Sequence, residues 1–108
     1  MNPYDKAREL KRAIEASDVF KKYKEQVTAL EADEGAKQMM DDFRKKQFEL
    51  HQKQMLGEEL NEEETAKADE LLRILMMNTT AASYLQAELA YAQLMNDISE
   101  ILAEISVE

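Results

Sequence analysis

The sequence predicts an all-α protein: a bundle of four to five helices with a long third helix and a long C-terminal helix. Three observations carry this. Apolar residues recur at helical spacing through nearly all of the 108 residues. The strong breakers are scarce, one Pro (Pro3) and two Gly (Gly35 and Gly57), and fall only where helices would begin or end. No segment reads as a strand, a long linker or a low-complexity tract.

Each element has its own local signals. Asn2 followed by Pro3 is an N-cap and first-turn pair. Ala7, Leu10 and Ile14 then mark one helical face. Ser17-Asp18 interrupts it as a second cap, and the face resumes with Phe20, Tyr23, Val27 and Leu30. Residues 3–32 therefore read as a short helix followed by a second one. Asp33-Glu34-Gly35 closes that segment and caps the next. There Ala36, Met39, Met40, Phe43, Leu50 and Met55 form a stripe about 20 residues long, interrupted by Gln47 and Gln54. Gly57 ends it as a left-handed cap. Asn61 caps the fourth helix, with Glu62 and Glu63 in its first turn and Glu64 at the capping-box position. Ala68, Leu71, Leu72, Leu75 and Met76 follow as its apolar face. Asn78 ends that helix and a following Thr caps the last, expected from about Ala81 to Ile105.

Composition narrows the function classes. The length fits one helical domain, residues 1–108. A hydrophobic fraction of 44% beside a charged fraction of 34% describes a folded, charge-coated protein. No apolar run approaches the ~20 residues of a membrane span. The N-terminus turns helical and charged at once, unlike a signal peptide, so a cytoplasmic location with no membrane partner is expected. With no cysteine there is no disulfide, thiolate zinc site or cysteine-ligated cluster.

The net charge of −9 opposes phosphate binding, so no direct nucleic-acid partner is expected. Its distribution is uneven. The last basic residue is Arg73; beyond it lie Glu88, Asp97, Glu100, Glu104 and Glu108. The N-terminal 30 residues hold a slight basic excess, so the acidic C-terminal residues read first as a solvated helix face and, as the alternative, as a partner for the N-terminal part within or between chains.

Helix length predicts self-association. A last helix of ~25 residues would reach ~37 Å, against a radius of gyration of ~13 Å for a domain this size. Its apolar stripe must be covered, and a second copy is the simplest cover. A homo-oligomer, a dimer or a higher even assembly, is expected. The candidate self-association residues are Tyr91, Met95, Ile98, Ile101, Leu102 and Ile105.

No constellation points to a reaction, so no catalytic residue, cofactor or metal ligand is assigned and the chain is read as a non-enzyme. His51 is the only histidine, and its helical neighbours Gln47, Phe48, Gln54 and Met55 include no carboxylate. Glu58, Glu59, Glu62, Glu63 and Glu64 lack the spacing of a calcium loop and read as helix-start electrostatics. Lys21-Lys22-Lys24 and Arg44-Lys45-Lys46 read as solvated faces, since no Gly-rich loop accompanies them. In the doublets Met39-Met40 and Met76-Met77 both members cannot point inward together.

Taken along the whole chain, Ala7 to Leu10, Ser17, Tyr23, Ala36, Met39, Phe43, Leu71 and Leu75 before Asn78, and Tyr84-Leu85-Gln86-Ala87-Glu88 form a pattern. It resembles the YlbF/YmcA-like family of small helical bacterial proteins, in particular its YheA-like branch. The resemblance implies an all-helical protein that associates with itself or with relatives. Other branches are linked to competence, sporulation and biofilm development, through a multi-protein complex that influences RNA processing and is associated with cysteine-bound iron–sulfur clusters. This chain has no cysteine, so that cofactor does not carry over. The leading functional expectation is a non-enzymatic helical adaptor or regulator. The alternative is a carrier of a small ligand or metal, resting on His51, the Glu cluster and the Met doublets.

Overall fold

The computed structural model describes residues 2–107. Met1, and Glu108 of the acidic C-terminal group, lie outside the described residues. The fold is all-α, with five helices: α1 (Pro3–Ala16), α2 (Asp18–Glu31), α3 (Glu34–Met55), α4 (Glu62–Met77) and α5 (Thr79–Leu102). Among the described residues there is no strand.

The caps explain the boundaries. The Asn2 side chain accepts from the Tyr4 N–H at 2.8 Å, with Pro3 in the first turn. Ser17 serves two helices. Its backbone N–H and its hydroxyl both donate to the Ile14 carbonyl, at 3.1 Å and 2.6 Å. The same hydroxyl oxygen accepts from the Phe20 N–H at 3.2 Å. Residues 3–32 are thus two helices sharing one joint. Asp33 starts α3 by accepting from the Ala36 N–H at 3.0 Å. At the far end Gly57 takes φ +77°. Its N–H donates to the Gln54 carbonyl at 3.1 Å, and that of Glu58 to the Lys53 carbonyl at 2.9 Å. This paired closure needs a left-handed residue, which glycine supplies without strain.

Three local expectations are corrected. Asn61 caps α4 as expected, accepting from the Glu64 N–H at 2.7 Å, but Glu64 does not complete a reciprocal capping box. Its carboxylate pairs instead with the Lys53 ammonium, reaching across from α3. No Thr caps α5. Asn78 ends α4, its N–H donating to the Leu75 carbonyl at 3.0 Å, and begins α5, its side chain accepting from the Ala81 N–H at 2.9 Å. Helix α5 therefore starts at Thr79 rather than near Ala81. It ends at Leu102, so Ile105 lies past it. There the chain tightens: the Glu104 N–H donates to the Ile101 carbonyl and that of Ile105 to the Leu102 carbonyl, three residues back instead of four.

The chain divides into two compact units. One, Ala29–Ser83, is built on the antiparallel α3–α4 hairpin. Its buried apolar residues are Leu30, Ala36, Met40, Phe43, Leu75 and Ala81, with Met40 and Leu75 almost fully enclosed. Ala36, Met40 and Phe43 recur at four and three residues, the spacing of one helix face. The other unit, residues 1–28 and 84–108, holds α1, most of α2 and most of α5. Tyr84 and Ala87 are its buried residues.

Candidate self-association surface

In the unit formed by the two chain ends, aromatic side chains join α2 to α5. Tyr23 stacks on Tyr91 with ring centroids 4.9 Å apart. Phe20 meets Tyr91 at 5.7 Å, and Tyr23 meets Tyr84 at 6.1 Å, both tilted. Such pairs add to the burial of the rings themselves. Tyr84 is buried, and its phenol sits beside Glu88 and Tyr23. Burial first, then these neighbours, hold its pKa well above the usual tyrosine range.

Next to this cluster is a groove of about 420 Å³. Ala7, Leu10 and Ile14 of α1 line it, with Phe20 of α2 and Tyr91 and Met95 of α5; Lys11 and Glu15 complete its border. Helix α1 buries none of its residues, although Ala7, Leu10 and Ile14 give it a clear apolar face. A helix of 14 residues is marginal in water by itself, so that face asks for cover.

The six candidate self-association residues fall into two groups. Tyr91, Met95 and Ile98 are half-buried within the chain, Tyr91 in the ring cluster and Met95 in the groove wall. Ile101, Leu102 and Ile105 are 63%, 56% and 80% exposed. Ile101 and Leu102 are on the last turn of α5, while Ile105 lies just past the turn that follows it.

The hairpin unit carries further exposed apolar side chains. Phe48, Met55 and Leu56 lie on and just after α3, and Met77 at the end of α4. Phe48 and Leu56 fall outside the apolar stripe that helical spacing predicts for α3. Met76 and Met77 are both exposed, whereas Met40 is enclosed and Met39 half-buried. His51 is exposed. Glu58, Glu59, Glu62 and Glu63 are exposed as well, and Glu64 is drawn half inside by Lys53. Lys21, Lys22 and Lys24 are exposed, and Lys46 pairs with Glu49 at 3.1 Å. The described residues hold no group of three or more His, Asp or Glu placed to hold a metal ion. None of their helices is long and apolar enough to cross a membrane.

Five helices, with no strand among the described residues, define an all-α helical-bundle protein. The chain belongs to the YlbF/YmcA family: the model of the family described as "Control of competence regulator ComK, YlbF/YmcA" matches residues 4–106. Among its relatives is a UPF0342 protein of Caldicellulosiruptor bescii, 42% identical over 103 residues, covering 95% of this chain and 87% of that protein. A UPF0342 protein of Alkalihalophilus pseudofirmus is 40% identical over 103 residues, covering 95% and 87%. A solved structure, a protein of unknown function (DUF964) from Bacillus stearothermophilus, is similar with a TM-score of 0.81 and 27% identity, over 92% of this chain and 87% of that one.

Proposed function

We propose that this protein is a non-enzymatic helical adaptor or regulator. It associates with itself, as a dimer or a higher even oligomer, through the C-terminal part of α5. The observation that carries the reading is the exposure of Ile101, Leu102 and Ile105 at the end of α5. Burying each large aliphatic side chain contributes roughly 1.5–3 kcal/mol, so this stripe weighs against the cost of association. The family description, control of a competence regulator, supports a role in cytoplasmic regulatory complexes, and the resemblance extends this to development or RNA processing. The chain acts in them as one helical domain, and a single calorimetric transition tests that point.

Light scattering at high micromolar concentration decides the central claim. A dimer or larger even assembly is expected. Replacing Ile98 and Leu102 together with Glu places unpaired charge in the contact and should dissociate it. A clean monomer of the unsubstituted chain would overturn the reading.

A further inference from the structure

The groove between α1, α2 and α5 is open, and the stripe that ends α5 is uncovered. We infer that they belong together across two copies: the Ile98–Ile105 segment of one chain seats in the Ala7–Leu10–Ile14 groove of the other, and the reverse. This rests on the self-association reading and names the surface that receives the stripe.

Three observations select a second copy. The first is reach. Met95 already forms part of the groove wall, and Leu102 lies seven residues further along the same continuous helix, about 10.5 Å away. The stripe of α5 cannot turn back into a groove that α5 itself helps to build without breaking the helix. The second is charge. Among the described residues Lys11 and Arg12 have no anionic partner, and Lys11 borders the groove. Along the end of α5, Asp97 and Glu100 accept only from the neutral amides of Gln93 and Asn96. No Lys or Arg follows Arg73 to neutralise them or Glu104. The unpaired Lys11, which shares the groove border with Glu15, thus meets an acidic stripe border once two chains meet. The third is area. Leu10, Ile101, Leu102 and Ile105 are 38%, 63%, 56% and 80% exposed. Together they leave on the order of 400 Å² open, as large as the whole main patch of an ordinary monomer. That is about half of what a standard interface takes from each partner. Because every copy carries both the groove and the stripe, one two-fold axis satisfies two grooves at once.

The chain lacks cysteine, so introduced thiols report on this contact alone. One preparation carries Leu10→Cys and a second carries Leu102→Cys. The two are mixed, allowed to exchange, and treated with a short bis-maleimide. Covalent dimers that neither preparation forms separately are expected. A second pair, Ala7→Cys with Ile101→Cys, repeats the test at exposed positions should the first pair disturb folding. Absence of mixed dimers from both pairs, while light scattering still shows a dimer, overturns the groove assignment and leaves self-association standing. A monomer by light scattering removes both. A cross-link confined to single chains carrying Leu10→Cys and Leu102→Cys together overturns the two-copy arrangement. A charge exchange gives an independent readout. Lys11→Glu should weaken the dimer several-fold at low salt, and adding Glu104→Lys to the same chain should restore it. A doubly substituted chain no tighter than Lys11→Glu alone overturns the proposed charge pairing.

Discussion

The ring of Tyr23 lies flat on the ring of Tyr91, their planes within 5° of parallel, while Phe20 leans on the same Tyr91 from one turn earlier in α2. One side chain of α5 thus engages two successive aromatic positions of α2. Replacing Tyr91 with Ala removes both contacts and opens a void. A loss of about 2–4 kcal/mol is expected from urea denaturation. Tyr91→Phe keeps the rings together and should cost less than about 1 kcal/mol. Equal losses for the two variants would show that the hydroxyl, not the stack, matters.

Tyr84 makes stability sensitive to alkali. An unfolded tyrosine titrates near pH 10, whereas burial, Glu88 and Tyr23 keep the folded phenol protonated beyond that. The folded state therefore binds a proton that the unfolded state has released. This contribution is fully present below about pH 10 and is lost as pH rises through the folded value. Denaturation midpoints measured between about pH 8 and about pH 11 should fall along the alkaline limb. In Tyr84→Phe that limb should be shallower, and an unchanged slope would remove Tyr84 as its source.

Asn78 and Asn61 are both caps, with unequal surroundings. The Asn78 side chain serves the N–H of Ala81, which is wholly buried, so water cannot replace it. Asn61 serves Glu64 at an exposed turn. Asn78→Ala should cost about 2 kcal/mol and Asn61→Ala about 1 kcal/mol or less. Thermal melts of the two variants side by side check the order.

The protein should not retain RNA at physiological salt. Its charge of −9, with no Lys or Arg after Arg73, opposes phosphate neutralisation. A sub-micromolar, salt-sensitive complex in filter binding would show that Lys21-Lys22-Lys24 and Arg44-Lys45-Lys46 act together.

The legible parts of the fold were those determined by neighbours in the chain. Asn2, Pro3, Asp33, Gly57 and Asn61 act on N–H and carbonyl groups within a few residues, so their spacing announces them. Asn78 was half legible. Asn and Thr both cap helices, and only the placement of the Asn78 oxygen against the Ala81 N–H shows that no Thr does so here. The capping box that spacing predicts at Glu64 does not form because its cation, Lys53, arrives from a different helix, and the folded hairpin wins over the local box. The stripe of α5 showed that its face needs cover. The division at Ile98, with rings filling in around Tyr91 and Leu102 left more than half exposed, depends on where α1 and α2 lie. The groove was illegible for the same reason, since three separate segments build it.

Ser17 alone separates α1 from α2, and Asn78 alone separates α4 from α5. Each joint therefore fixes helical phase as well as direction. One residue added at Ser17 would turn every side chain of α2 by about 100° relative to α1 and swing Phe20 and Tyr23 off the ring of Tyr91. One added at Asn78 would do the same to the opening turns of α5. The stretch 56–61, with its left-handed Gly57 and its unhelical run to Asn61, has no such constraint. Length can change there while the phase of all five helices is kept, so tags and inserted segments belong at the tip of the hairpin and nowhere near Ser17 or Asn78.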